Sequence, residues 1–391
     1  MIEGTPTIAT SRRLTTTAAG FLWLIVACTF FTAYLFSAEI FTNNGHSLSG
    51  WFVPDGITLF NQAREDASLT VSGIIDAYQA SPGLAILNAE LVNAGRPMPA
   101  LFNAGALVVL FGSLVRFGNG WPTLIFLITP YYLASFLAPS KDILVAALFV
   151  AAISYFARER KPHLLPALTL AAATFFVRDG FGAILFACFV YVAMIEMLDV
   201  GRRKALVVLT VGAAFFWVLF ERVLEGSFIY TRAMAVAEQG TYFEFDTSSQ
   251  PSGYFVRLFG NATNLAFRPV FIDVSGNVHV LSIFYWISGL TLLYALICCW
   301  RGTVSRNLQD SRIGLIGLSI LIMVSITPYV QPRYLLPLCL LIPMFSFTSI
   351  RGTLRALAAV LLLSSAAAVG YAMLNNYPPP AESSSFSLLA S

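Results

Sequence analysis

Charged residues are scarce in this chain. Only 11% of its 391 residues are Asp, Glu, Lys or Arg, whereas 57% are hydrophobic, and the mean hydropathy is +0.75. This is too little polar surface to cover a soluble globule of this size. The sequence therefore predicts an integral membrane protein, with the lipid bilayer as its solvent.

Histidine, cysteine and strong net charge are scarce as well. The formal net charge of +3 is too small to suggest a nucleic acid as partner. The cysteines all lie in apolar segments, where they are typical of small buried hydrophobes: Cys28, Cys188, Cys298, Cys299 and Cys339. Neither a disulfide framework nor a metal cluster is indicated, and we expect no cofactor.

Apolar runs are abundant and recur along the whole chain. Taking about 20 apolar residues as one crossing, we predict an all-α polytopic bundle of about eleven transmembrane helices. They lie near 18–37, 99–116, 121–138, 142–157, 164–178, 181–199, 205–224, 281–300, 313–328, 334–350 and 354–374. Residues 1–375 would form a single polytopic domain, and 376–391 a flexible C-terminal tail. The first run is long for a signal peptide and lacks a clean cleavage site, which favours an uncleaved span.

The basic residues are unevenly shared between the two sides of this bundle. Loops on the N-terminal side hold 14 of the 23 Lys and Arg residues: Arg12, Arg13, Arg116, Arg158, Arg160, Lys161, Arg202, Arg203, Lys204, Arg301, Arg306, Arg312, Arg351 and Arg355. The positive-inside rule makes this side cytoplasmic. We therefore expect a multi-pass protein of a bacterial cytoplasmic membrane, with a cytoplasmic N-terminus.

Two loops on the outer side are long, at about 38–98 and 225–280. Both contain apolar residues at helical spacing, which predicts short helices lying in the membrane interface. In the second loop, Tyr254, Phe255, Leu258, Phe259, Ala262 and Leu265 share one face of such a helix, and Arg257, Asn261 and Asn264 share another. Packing against the bundle and shaping a substrate site both remain open for these helices.

Charged side chains also gather on the outer side. They are Asp55 in VPDG, Lys141 and Asp142 in SKD, Arg178 and Asp179 in VRDG, Arg268 in FRP, and Arg333, with Gln331 and Tyr334, in QPRY. A charge held near hydrocarbon costs roughly 2.5–3.5 kcal/mol, so such a cluster is typical of a functional site. Each member alone also fits a structural role as a helix cap, a turn residue or a snorkelling side chain.

Transfer of a sugar from a polyprenyl phosphate or diphosphate would use such a set. A carboxylate takes the proton from the acceptor hydroxyl, and cations stabilise the departing phosphate. The candidate bases are Asp55, Asp142 and Asp179, and the candidate cations are Lys141, Arg178, Arg268 and Arg333. Asp142 and Asp179 each adjoin a cation in sequence, and a lasting pair would make either a poorer base. This favours Asp55.

The arrangement resembles the GT-C superfamily of integral-membrane glycosyltransferases, especially the bacterial enzymes and polymerases that act on polyprenyl-linked sugars. The matching pieces are Asp55 in the first outer loop, the interfacial stretch from about Ile74 to Leu91, the SKD sequence, and Arg333 with Tyr334. The first loop lacks the DE pair of many such enzymes, and there is no large C-terminal soluble domain. The resemblance implies a role in cell-envelope polysaccharide biosynthesis, with a polyprenyl-linked donor and a glycan or lipid acceptor.

Two other functions remain open. A flippase or transporter for lipid-linked oligosaccharide would also hold a diphosphate with basic residues, although its charges should be spread across membrane depth. An O-antigen-ligase-like or acyl-transferring enzyme would use a histidine at the outer level. Only His46 and His279 lie there, and a lone loop histidine is more often solvated.

Overall fold

The computed structural model describes a helical bundle. The described residues are 65–66, 68–77, 82–95, 98–115, 129, 131–134, 141–157, 162–224, 251–267, 280–326, 332–349 and 351–362. Within these ranges all regular structure is helical, which confirms the predicted all-α class. The first predicted span, Asp55, Arg268, Gln331 and the C-terminal tail lie outside them.

In chain order the helices are α1 (Val71–Ala77), α2 (Pro82–Ala94), α3 (Met98–Val115), α4 (Tyr131–Ala134), α5 (Lys141–Phe156), α6 (Leu164–Val177), α7 (Asp179–Met197), α8 (Arg202–Leu224), α9 (Pro251–Phe267), α10 (Val280–Thr303) and α11 (Leu308–Val324). A 3₁₀ helix follows over Pro332–Met344, and a last helical stretch covers 351–362. Most of these segments coincide with a predicted apolar run.

The length and composition of the helices bear on membrane crossing. Among the described residues, one helix, Gly180–Met197, is both long and apolar enough to span a bilayer. Shorter apolar helices cover Leu101–Leu114, Leu164–Val177 and Tyr334–Met344.

Helices that follow one another along the chain pack as neighbours. α5 packs on α6, α6 on α7 and α10 on α11, while α7 and α8 both pack on α11. Short connections between packed helices make them antiparallel, which gives this part of the bundle two ends. We call the end containing the α6–α7 connection the Arg178 end, and the end where α7 stops the Glu196 end.

The α10–α11 hairpin is packed through glycine. A Cβ atom at Gly314 would lie 2.4 Å from the carbonyl oxygen of Cys299 and 2.5 Å from the backbone nitrogen of Thr303. No real Cβ tolerates such distances, so only glycine allows the two helices to approach this closely. Within this hairpin Asn307 is the N-cap of α11, because its side chain accepts hydrogen bonds from the backbone N–H groups of Gln309 and Asp310.

The segment Pro332–Met344 is an unusually long 3₁₀ helix of 13 residues. Two of its residues are interior prolines, Pro337 and Pro343. A proline inside an α-helix removes a hydrogen bond and its ring meets the carbonyl four residues earlier, which opposes α geometry here. The segment is buried from Leu335 to Phe345 and packs against α5, α9, α10 and α11. It therefore lies inside the bundle.

Helix α9 turns its polar side towards the bundle. Tyr254, Arg257 and Asn261 are fully buried, whereas Phe255 is 50% exposed and Phe259 is 72% exposed. The amphipathic spacing of the sequence is present, but the side that packs against α8, α10 and the 3₁₀ helix carries the arginine. The buried side of this helix therefore includes its polar face, together with Tyr254 from the predicted apolar face.

Candidate functional site

A buried ion pair lies at the Arg178 end. Nη1 of Arg178 donates to Oδ1 of Asp142 at 2.7 Å, and the two side chains are only 5% and 7% exposed. Arg178 is the single residue between α6 and α7, and Asp142 lies in the first turn of α5. The positive end of the α5 dipole also favours a carboxylate at this position. The pair thus links the tip of one hairpin to the start of another helix.

Tyr131 also binds this carboxylate. Its hydroxyl donates to Oδ2 of Asp142, and its backbone N–H donates to Oγ of Ser288 on α10 at 3.3 Å. Both oxygens of Asp142 therefore accept a hydrogen bond. Tyr131 is not among the predicted site residues, because its one local signal is a tyrosine pair after Pro130 in an otherwise apolar run.

Tyr334 lies on the other side of the arginine. The guanidinium carbon of Arg178 is 3.9 Å from the centre of the Tyr334 ring, which is a cation–π contact. Tyr334 lies in the first turn of the 3₁₀ helix, so this contact joins a third element to the pair. Asp142, Arg178 and Tyr334 come from distant parts of the sequence and meet in one cluster.

Both carboxylate oxygens of Asp142 are engaged by protein groups. A general base needs an oxygen that can reach the proton of a substrate. Both oxygens of Asp142 instead accept protein hydrogen bonds inside a buried cluster. This argues against the predicted role of Asp142 as a base, because its carboxylate fixes the orientation of Arg178.

The remaining predicted residues are described only in part. Lys141 is half-buried and directly precedes Asp142 as the first residue of α5. Asp179 is the first residue of α7 and Arg333 lies in the first turn of the 3₁₀ helix, but their side chains lie outside the described part. Lys141, Asp179 and Arg333 are thus each next in sequence to a member of the cluster. Asp55, Arg268 and Gln331 lie outside the described residues.

A second buried arginine lies on α9. The guanidinium carbon of Arg257 is 3.7 Å from the centre of the Trp217 ring, and both side chains are only 1% exposed. One turn further along, Nδ2 of Asn261 donates to Oγ of Ser325 at 3.3 Å. Arg257 is not among the predicted site residues, because the sequence pattern predicts an interfacial helix for α9.

The Glu196 end is held by polar contacts between helices. Arg312 on α11 binds Glu196 on α7 through two hydrogen bonds, Nε to Oε1 at 2.6 Å and Nη2 to Oε2 at 2.9 Å. The buried carboxylate of Asp310 accepts a hydrogen bond from the backbone N–H of Ser346 at 2.8 Å. Such charge-assisted and two-point contacts are among the stronger hydrogen bonds in proteins. They tie α7, α11 and the chain beyond the 3₁₀ helix together.

Among the described residues, neither a histidine nor a cluster of metal ligands adds to this site. His163 is exposed at the start of α6 and makes no capping hydrogen bond. No group of three or more His, Cys, Asp or Glu side chains is close enough to hold a metal ion among the described residues. Comparison with protein-family models, curated proteins and solved structures finds no match.

Proposed function

We propose that this chain is a polytopic membrane protein of the bacterial cytoplasmic membrane. Large apolar side chains point outward from α8 and α9, among them Val207, Val211, Phe215 and Phe259. Arginines are buried instead, at Arg178, Arg257 and Arg312. A soluble protein distributes these groups the other way round, whereas a bundle in hydrocarbon turns its ionisable groups inward. This distribution supports the membrane placement of about eleven helices.

The Glu196 end would face the cytoplasm. Most of the described basic residues belong to segments at that end: Arg202, Arg203, Lys204, Arg301, Arg306, Arg312, Arg351 and Arg355. The positive-inside rule then assigns the Arg178 end to the outer side of the membrane.

The proposed activity is glycosyl transfer at the outer side, from a polyprenyl phosphate or diphosphate donor to a glycan or lipid acceptor. The observation that carries the proposal is the contact of Asp142, Arg178 and Tyr334, with Lys141 and Arg333 next to them in sequence. Cations fixed at one end of a membrane bundle suit a lipid-linked phosphate, because Arg and Lys bind phosphate oxygens.

The transfer step needs one base and a held phosphate. In our proposal Asp55 takes the proton from the acceptor hydroxyl, whose oxygen attacks the anomeric carbon of the donor sugar. The bond between that carbon and the phosphate oxygen breaks, and the polyprenyl phosphate leaves with the electron pair. Lys141, Arg268 and Arg333 stabilise the charge that develops on this leaving group.

Arg178 and Asp142 would act together in this scheme. Asp142 fixes the arginine from one side and Tyr334 packs against its face. A preorganised cation stabilises a developing charge better than a mobile one, since it needs no reorganisation during the reaction. Asp142 is then a positioning residue, and Asp179 is a second candidate base beside Asp55.

A transporter of lipid-linked oligosaccharide is the second candidate. It is favoured by the occurrence of buried charges at both ends of the bundle, the Asp142–Arg178 pair at one and the Glu196–Arg312 pair at the other. Charges distributed over membrane depth are typical of a substrate path. Transfer remains the first proposal because the candidate phosphate-binding cations Lys141, Arg178 and Arg333 all belong to segments at the Arg178 end.

Mass spectrometry of the lipids that co-purify with the detergent-solubilised chain tests the phosphate site. We expect polyprenyl phosphates or their sugar conjugates on the wild-type protein, and their loss from a Lys141→Gln, Arg333→Gln variant. Arg203→Gln with Arg306→Gln is the matched control, because it removes two exposed cations at the other end. Ordinary phospholipids alone in all samples would reject the proposal.

An Asp55→Asn variant then separates the two candidates. Transfer should stop while sugar-linked lipid remains bound, because the amide cannot accept the proton of the acceptor. Full turnover in this variant would remove Asp55 from the role of base. Movement of an intact sugar-linked lipid across a vesicle membrane, without loss of its sugar, would instead support transport.

A further inference from the structure

A pocket of about 290 Å³ lies at the Glu196 end, between the end of α7, the start of α8 and the start of α11. Its apolar lining includes Val192 and Leu315. Its charged lining consists of two acids and two arginines, Glu196, Asp199, Arg202 and Arg312, and Ser311 adds a hydroxyl. The volume is close to the lower end for small-molecule sites, so it fits a small polar group.

The four charges of this lining are not equivalent. Glu196 and Arg312 bind each other through two short hydrogen bonds and so balance their charges. Asp199 is exposed and forms no salt bridge within the described part of the chain. Arg202 is half-buried, and its Nη1 donates to the carbonyl oxygen of Ser305 at 3.1 Å, which holds the guanidinium in place. The pocket thus offers one acid and one fixed cation to a ligand.

Asp199 has a backbone conformation that L-residues rarely adopt. Its φ is 50°, and it follows α7 in a turn closed by a hydrogen bond from the backbone N–H of Val200 to the carbonyl oxygen of Ile195. This is a helix C-terminus at which glycine is the usual residue. An aspartate here costs conformational energy, and strain of this kind is often retained at functional sites. At this position aspartate supplies a carboxylate to the pocket, which glycine would not.

Apolar side chains are exposed beside the pocket. Met194, Met197 and Leu198 are 52%, 84% and 68% exposed on the last turns of α7 and the residue after it. In a bilayer these side chains would contact acyl chains, while the neighbouring charges would reach the lipid headgroups. The pocket would then lie at headgroup level.

We infer that this pocket binds the headgroup of a zwitterionic phospholipid with a primary ammonium, of the phosphoethanolamine type. Asp199 would accept hydrogen bonds from the ammonium, and Arg202 would bind the phosphate. A phosphocholine headgroup carries the same charges but has no N–H to donate, so it loses the contact with Asp199. The inference rests on the proposed membrane placement, and it is independent of the transfer reaction.

A lipid competition experiment on the full chain tests this site. The detergent-solubilised protein is incubated with equal amounts of phosphatidylethanolamine and phosphatidylcholine that have identical acyl chains, and the retained lipids are quantified by mass spectrometry. We expect the wild type to retain the ethanolamine lipid about fivefold over the choline lipid, the factor that one net hydrogen bond typically contributes.

Variants at the two ligand-binding residues sharpen the test. Asp199→Asn tolerates the left-handed conformation but replaces the charged acceptor with a weaker neutral one, and it should lower the lipid ratio towards one. Asp199→Gly relieves the backbone conformation, so the loss of preference that we expect there does not arise from misfolding. Arg202→Gln should lower retention of both lipids, because both carry the phosphate.

Arg203→Gln is the matched control, since Arg203 is exposed beside Arg202 but does not line the pocket. Equal retention of the two lipids by the wild type would overturn the inference. So would an ethanolamine preference that is undiminished in Asp199→Asn. A chain that keeps an Asp199-dependent preference but binds no polyprenyl phosphate would reject the transferase proposal and leave this lipid site standing.

Discussion

Removing either member of the Asp142–Arg178 pair should strongly destabilise the protein. The interacting atoms are 2.7 Å apart, and at an effective dielectric constant of about 20 their Coulomb attraction is about 6 kcal/mol. Much of that attraction offsets the desolvation of the two groups. An Asp142→Ala or Arg178→Ala change leaves the other charge buried without this partner, and such changes typically cost about 3–5 kcal/mol.

The double variant should then lose clearly less unfolding free energy than the two single variants lose together. Its second substitution relieves the buried charge that the first one created, so we expect a coupling of about 2–3 kcal/mol. Denaturant unfolding in detergent micelles, followed through helical circular dichroism, gives the three differences in unfolding free energy. Arg203→Ala removes an exposed arginine and should change stability little. A loss of unfolding free energy in the double variant that equals the sum of the two single losses would refute the reasoning.

Three further changes test individual parts of the fold by the same unfolding measurement. Gly314→Ala should destabilise by about 1–3 kcal/mol because its Cβ meets the Cys299 carbonyl. Gly212→Ala, which has no atom within 4 Å of the new Cβ, should instead stabilise by about 0.5–1 kcal/mol; equal shifts would contradict the close packing of the hairpin. Asn307→Ala removes the cap of α11 and should cost about 1 kcal/mol, and an unchanged midpoint would argue that the cap is dispensable. Tyr131→Phe removes a hydrogen bond to a charged group and should cost about 1.5–3 kcal/mol; no loss would mean that Asp142 is held without it.

Helix positions follow from the sequence because apolar runs and their polar ends are local signals. The run expected at 164–178 is helix Leu164–Val177, and the one at 142–157 is Lys141–Phe156. The start of α11 differs more, since it begins at Leu308 and was expected near 313. The extra turn contains Asp310 and Arg312, which are buried through contacts with Ser346 and Glu196. Hydropathy alone treats these residues as loop.

The candidate site followed from the sequence only in part. Predicted sidedness grouped Asp142, Arg178 and Tyr334, and the structure brings these three into contact. Their roles stay predictions. The contact between Asp142 and Arg178 joins residues far apart in the chain, and local sequence carries no information about such pairing. Tyr131 and Arg257 were missed for related reasons, because their significance depends on which side of a helix packs inward.

The 3₁₀ helix makes the cluster sensitive to chain length. At a rise of about 2.0 Å per residue its 13 residues extend about 26 Å, against about 20 Å for an α-helix of the same length. Pro337 and Pro343 keep the longer form, and so set the reach of Tyr334 towards Arg178. Deleting one residue after Tyr334 would draw its ring back by about 2 Å and turn it by about 120°. Deleting three would restore the angle yet leave a gap of about 6 Å, so the number of residues in this segment decides whether the contact with Arg178 can form.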